Sequence, residues 1–344
     1  MRKTSLILLV LILAMSLVAV GCGGGQQPTD QAEEQAEEQA EEQAKEPAET
    51  IRLLMATGGT GGTYYPLGGA IAETWNKHID GMNATVQSTG ASVENIRLLA
   101  TGEADLAMAM NGIAQAAWKG EGDFEGNAVQ NIAGAGVIYP EIMQVVTPKG
   151  TGIKTIADLK GKRVSIGPVG SGTASSAIKI LNAYGIDPDK DIQKFQDTFA
   201  DAARKLKDGL LDAAFAVLAV PAANIIDITT ATPVTIVDIS GEGLEKLLEA
   251  APAFSPFEIP AGTYKGQDEP AQTVAQWASL YVPKDMDEDV VYNLVKVMYE
   301  YTDEIAKAHA RGNQITLDNA VKGFDPVPLH PGAVKYYEEK GILR

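Results

Sequence analysis

From Ile51 onward one pattern recurs: a short apolar run, a loop of glycine and small polar residues, then a stretch with helical periodicity. IRLLMA leads through GGTGGT into YYPLGGAIAETWNKH, and ATVQ through STGAS into VENIRLLATG. DLAMAMN, NIAGAGVI and MQVVTP are further apolar runs, RVSIG leads through PVGSG into TASSAIKILNAYG, and DAAFAVLAV into PAANIIDI. Strands alternating with helices predict a mostly parallel α/β sheet covered on both faces. In such sheets ligands sit beyond the carboxyl ends of the strands, which is where each glycine-rich loop falls.

The stretch from Ile51 to Arg344 is long enough for two lobes. The alternation restarts after Thr147-Pro148-Lys149-Gly150, which predicts one lobe from 51–146 plus 271–344 and a second from 147–270. Thr155 with Asp158 suits a helix start and Gly161 a stop. DEDVVYNLVKVMYEYTDEIAKAHA has helical apolar spacing and is expected to pack back on the first lobe.

The amino-terminal segment has a different character. Arg2 and Lys3 precede an apolar run from Leu6 to Val20, the layout of a secretory signal peptide over 1–21. It ends in Ala19-Val20-Gly21-Cys22, similar to the bacterial lipobox, although Ala19 stands where a large aliphatic residue is usual. Cys22 is the single cysteine, so lipidation of Cys22 would explain both its presence and its solitude. Residues 22–50 repeat Ala-Glu-Glu-Gln with almost no large apolar residue, which predicts a disordered acidic tether. From Gln26 to Thr50 nine acids face one lysine, −8 of the chain's −17, and with the two leader cations set aside the remainder carries −11. No basic stripe for nucleic acid is present, and an anionic ligand must be held by local groups rather than by the overall field.

Catalytic and nucleotide motifs fail one by one. No Gly-Lys-Ser/Thr follows the first glycine loop, so it is no Walker A motif, and the G-x-G-x-x-G spacing lands on Tyr64 from Gly59 and on Ser175 from Gly170. No Gly-x-Ser-x-Gly surrounds Ser171. Ser176 and Lys179 have a penicillin-binding spacing without its companion motifs. His78, His309 and His330 lie far apart with no i,i+4 partner for zinc. No metal or cofactor is expected.

Three loops remain that each expose backbone N–H groups at a helix start: Thr60-Gly61-Gly62-Thr63, Ser88-Thr89-Gly90-Ala91 and Gly170-Ser171-Gly172-Thr173. Helix N-termini carry unpaired donors and partial positive charge, which suits carboxylate or phosphate.

Five blocks in this order, GGTGGTYYPLGGAIAETWN, STGASVENIRLLATGEADLAMAM, TIADLKGKRVSIGPVGSGT, EIPAGTYKGQDEPAQTVA and LHPGAVKYYEEKGI, resemble the extracytoplasmic solute receptors of TRAP transporters, specifically the TAXI family. The resemblance implies a class II periplasmic-binding-protein-like fold, two α/β lobes joined by a hinge with a ligand cleft between them. It also implies delivery of a small organic anion, such as glutamate, 2-oxoglutarate or a related carboxylate, to a membrane permease. Carried over residue by residue, it places ligand contacts at Thr60, Gly61, Thr63 and Tyr65, at Ser88 and Thr89, and across the cleft at Ser171, Gly172 and Thr173, with Tyr264 as a further contact. Of Tyr64 and Tyr65, Tyr65 is the expected cleft residue. Where family members often carry glutamine, this chain reads Met110-Asn111-Gly112, so Met110 either faces the cleft as a soft apolar group or points into the core.

The expected mechanism is capture by lobe closure. Arginine clamping by Arg163 or Arg204 is the other way to hold an anion. A lipid-anchored serine hydrolase using Ser171 or Ser176 is the rival function and requires a base beside one of them; a structural or adhesive lipoprotein is a third.

Overall fold

A computed structural model describes residues 50–344. The leader, Cys22 and the acidic tether lie outside the described residues. Within them, ten strands join in one sheet whose order is β2-β1-β3-β10-β4-β7-β5-β6, with β8 added to β4 and β9 to β10.

The first half of this order is built from β1 (Ile51–Ala56), β2 (Met82–Gln87) and β3 (Leu106–Met110), with β1 parallel to both others. The second is built from β5 (Arg163–Ser165), β6 (Gln193–Phe195) and β7 (Ala213–Leu218), with β5 parallel to both others. Each trio therefore has its first strand in the middle, the arrangement that right-handed crossover helices produce. These trios are the sheets of two lobes.

Two long antiparallel strands run through both. β4 (Ile132–Pro148) and β10 (Ala271–Pro283) pair along Ile132–Ile142, and β10 also pairs with β3 through Ala278–Tyr281. Beyond that point β4 pairs with β7 from Ile142 to Val146 and with β8 (Val234–Ile236), while β10 pairs with β9 (Ser255–Ile259) from Ala271 to Ala275. Lobe limits at 147 and 271 fall at the outer ends of these strands, whereas the pairing partners change inside them, at Glu141 and Gln276. A strand bonded on both edges has no orphan N–H or C=O to mark a boundary, so it passes between lobes unbroken.

Helices cover the sheet. In the first lobe α1 (Tyr64–His78) buries Leu67, Ile71 and Trp75 in a core shared with the later helices α8 (Glu288–Glu300) and α10 (Pro331–Glu339). The single amphipathic helix expected across Asp287–Ala310 breaks at Tyr301 into α8 and α9 (Thr302–Ala308), and it packs against the first lobe as expected. Tyr301 stacks on His78, ring centroids 3.7 Å apart, which fixes the joint. In the second lobe the Thr155/Asp158 pair forms a reciprocal capping box, but the turn it opens is a short 3-10 helix, Ile156–Leu159. Among the described residues no helix is long and apolar enough to cross a membrane.

Candidate functional site

Four strand-to-helix loops meet at one cleft of about 390 Å³. β1 feeds α1 through Gly58–Thr63, and β2 feeds α2 (Ser92–Thr101) through Ser88–Ala91. From the second lobe β5 feeds α4 (Gly172–Ala183) through Pro168–Ser171, and β6 feeds α5 (Phe199–Lys207) through Thr198. Between them lie α3 (Asn111–Lys119) on the first lobe and, after α5, α6 (Ala223–Ala231) and α7 (Gly241–Ala250) on the second. All four loops leave the carboxyl ends of parallel strands, so the topology forces the helix N-termini toward the same space.

The sequence-predicted residues divide into three groups. Thr60, Gly61, Thr63, Ser88, Thr89, Ser171, Gly172 and Thr173 all line the cleft. Tyr65 does not. Successive helical residues point about 100° apart, so only one tyrosine of the pair can face inward. That one is Tyr64, fully enclosed, with its hydroxyl donating to Glu141 Oε2 at 2.7 Å. Tyr264 also lies away from the lining: its hydroxyl accepts from Ala222 N at 2.8 Å and donates to Gln144 Oε1, and burial pushes its pKa up to about 12. It braces the second lobe behind the cleft.

Side-chain commitments narrow what the lining residues can offer. The Thr89 hydroxyl accepts from Ala91 N at 3.0 Å and donates to Asn95 Oδ1 at 2.5 Å, so it shapes its own loop. Ala91 sits at φ 82°, a backbone region costly for a residue with a Cβ, and this turn aims the start of α2 into the cleft. Ser171 caps α4, accepting from Ala174 N at 3.0 Å and donating to Pro168 O at 2.6 Å. Its proton is spent on a carbonyl, an arrangement for a helix cap rather than a nucleophile. Ser176 is buried, and its partner is the Gln276 amide at 3.3 Å, neither acid nor base. Thr198 caps α5, accepting from Asp201 N. α1 and α2, by contrast, have no side-chain cap; Pro66 removes one donor from the first turn of α1 and Glu94 N of α2 is taken by Gly170 O, which leaves the N–H groups of Tyr64, Tyr65, Ser92 and Val93 uncapped.

Arginine clamps are absent from the lining. Arg163 pairs with Asp212 at 2.7 Å and Arg204 with Asp201 at 3.1 Å. Among the described residues the cleft lining contains no lysine, arginine or histidine. The histidines serve elsewhere: His78 contacts Glu304 at 3.2 Å, and His309 and His330 accept backbone N–H bonds at the turns they open. Among the described residues no cluster of His, Cys, Asp or Glu could hold a metal ion.

What the cleft holds in place of a basic residue is an acid. Glu141, in the middle of β4 and 4% exposed, accepts from Tyr64 at 2.7 Å and from Tyr139 at 3.2 Å. Burial pushes its carboxyl up to about 7 in spite of both hydrogen bonds. The tyrosines are raised in turn, by burial and by the neighbouring carboxylate. Glu141 was legible as a lone acid inside the buried run IYPEIMQVV, the one charged residue in that stretch and a signal that periodicity alone does not weigh. Phe199 and Ala200 were also missed, because the strand before them is only three residues long. Met110 is both cleft-facing and buried: it lines the cavity at 3% exposure, beside Gly172 of the other lobe.

The lobes touch around the cavity. Glu94 N donates across to Gly170 O at 3.1 Å, and the same residue's carboxylate accepts from Gly90 N at 2.7 Å.

Two α/β lobes, each with parallel strands delivering helix N-termini to a shared cleft and two long strands passing between them, define the class of two-lobed periplasmic-binding-protein-like folds. The chain belongs to the NMT1-like family, whose model matches residues 55–341. That family is described as NMT1-like rather than as the TAXI receptors that the sequence blocks resemble. A solved structure from Bordetella bronchiseptica RB50 has the same fold, with a TM-score of 0.51 at 15% identity over 84% of this chain and 98% of that one. The chain is also similar to the periplasmic aliphatic sulphonate binding protein SsuA from Escherichia coli, with a TM-score of 0.47 at 16% identity over 84% and 82% of the two chains. A putative L-cystine ABC transporter from Listeria monocytogenes gives 0.48 at 14% identity over 79% and 98%.

Proposed function

We propose that the protein is an extracytoplasmic substrate-binding protein of a TRAP-type transporter, tethered to the membrane by lipid on Cys22, that captures a small organic anion and delivers it to a membrane permease. Glutamate, 2-oxoglutarate and related carboxylates are the ligand class. The observation that carries this reading is the convergence of four helix N-termini, two of them without a side-chain cap, on one cleft between the lobes. Unsatisfied N–H donors at helix starts suit a carboxylate, and lobe closure over it would strengthen each such bond by excluding water. Thr60, Gly61, Thr63 and Ser88 with the Thr89 backbone supply the first-lobe contacts, and the second lobe closes over the anion with the N–H groups of Gly172 and Thr173, held in place by Ser171, whose own donors are spent on Pro168 O.

Calorimetric titration of the purified full chain against small mono- and dicarboxylates, sugars and metal cations tests this. Saturable heat with a carboxylate and none with sugars or cations is expected. A response confined to sugars or cations would sink the anion reading.

A further inference from the structure

The four helix starts account for a negative group on the ligand, but not for Glu141. A carboxylate has about four lone-pair directions. Two are taken here by Tyr64 and Tyr139, and Glu141 lies in the cavity wall. Both tyrosines stand as donors, which is the pattern that suits an ionised acid. The groups around it supply no positive charge: α1 brings Tyr64, β4 itself Tyr139, and β10 the uncharged Gln276 paired opposite. Arg311, the cation felt by Tyr139, is turned to Pro221 O at 3.2 Å.

An ionised acid buried to this degree is a cost unless something cationic meets it. We infer that Glu141 is the specificity-determining residue of the cleft and receives the ammonium group of the ligand, so that the cleft takes zwitterionic amino acids in preference to the matching 2-oxo acids. This rests on the anion-capture reading and refines it: the helix N-termini hold a carboxylate, and Glu141 holds the amine on the neighbouring carbon. A 2-oxo acid presents a carbonyl oxygen there, which Glu141 accommodates only as the neutral acid. Met110 and Phe199 add apolar surface to the lining, so an amino acid with an apolar side chain is tested beside glutamate.

The two ligand types move protons in opposite directions. With its carboxyl near pH 7 in the free protein, Glu141 is divided between both forms at neutrality. An ammonium favours the ionised form, so an amino acid expels a proton on binding and loses affinity as pH falls from about 8 to about 5.5. A 2-oxo acid favours the neutral form, takes a proton up, and gains affinity over the same range.

The experiment is calorimetry on the full chain with two matched pairs, L-glutamate with 2-oxoglutarate and L-methionine with its 2-oxo acid, in buffers of contrasting ionisation enthalpy. For at least one pair the amino acid binds about tenfold or more tighter than its oxo acid, since a hydrogen bond to a charged group is at stake, and it releases protons. In Glu141→Gln that preference shrinks toward unity and the proton release disappears. If the variant does not fold, the proton count and pH slope of the unmodified protein decide alone. Equal or tighter binding of the oxo acids, proton uptake with the amino acids, or a preference kept by Glu141→Gln overturns the assignment while leaving anion capture intact. Silence from both members of both pairs, with heat from sugars or cations, removes the anion reading and the role of Glu141 with it.

Discussion

In the ligand-free protein at neutral pH, Glu141 works against folding. Its carboxyl titrates near 7 in the fold, well above the range of a free glutamate, because burial penalises the charged form more than two tyrosine hydrogen bonds favour it. The folded protein therefore holds a proton that the unfolded chain has already released, and stability falls as pH rises from the unfolded to the folded value. The cost is fully present above that window and absent below it. It amounts to about 3 kcal/mol from a shift of this size. Urea unfolding of ligand-free protein is expected to give a higher midpoint near pH 5 than near pH 8, and Glu141→Gln to flatten the difference and raise the midpoint at the alkaline end. A wild-type midpoint that climbs with pH throughout would contradict this. Retaining such a residue at the expense of stability is the pattern of a binding site rather than of a core.

β4 shows how the fold and the site were only partly legible in the sequence. Its two apolar runs, NIAGAGVI and MQVVTP, read as separate strands because Tyr139-Pro140-Glu141 interrupts the hydrophobic pattern. The structure makes one strand of all of it, Ile132–Pro148. The interruption that hides the continuity is the part that reaches the cleft. Long strand-loop-helix units were readable because glycines and apolar periodicity act locally, whereas β6 is too short for a period to register, and α5 went unplaced with it. Choosing between Tyr64 and Tyr65 needed the position of Glu141, far along the chain. The glycines of β4 mark where it is most tightly overlain. Gly134 N donates to Pro328 O at 2.8 Å, and a Cβ there would run into the Phe324 ring. Both walls of that contact are fixed, so Gly134→Ala overpacks the strand and is expected to lower stability by about 2 kcal/mol, read as a drop in urea midpoint. Ligand affinity of the folded fraction should not change, since Gly134 is remote from the cleft.

At the scale of the whole molecule, closure depends on how near the two lobes come at Gly172. This residue opens α4 and stands against the first lobe, where an added Cβ would meet Met110 Sδ and lie 2.9 Å from Ser92 Oγ. Both neighbours belong to the opposite lobe, and the only covalent links between lobes are the chain crossings, including β4 and β10. A clash across such an interface is relieved by opening the hinge, not by distorting either core. Gly172→Ala is therefore expected to behave differently from Gly134→Ala. Its urea midpoint should stay close to wild type, because each lobe keeps its own packing. Its affinity for the proposed ligand should fall by about tenfold or more, because shutting the cleft now has to push the methyl past Met110 and Ser92. Solution scattering of the full chain at saturating ligand should give a larger radius of gyration for the variant than for wild type. A variant that binds and compacts like wild type would mean that the lobes do not need the contact at Gly172 to seal the cleft.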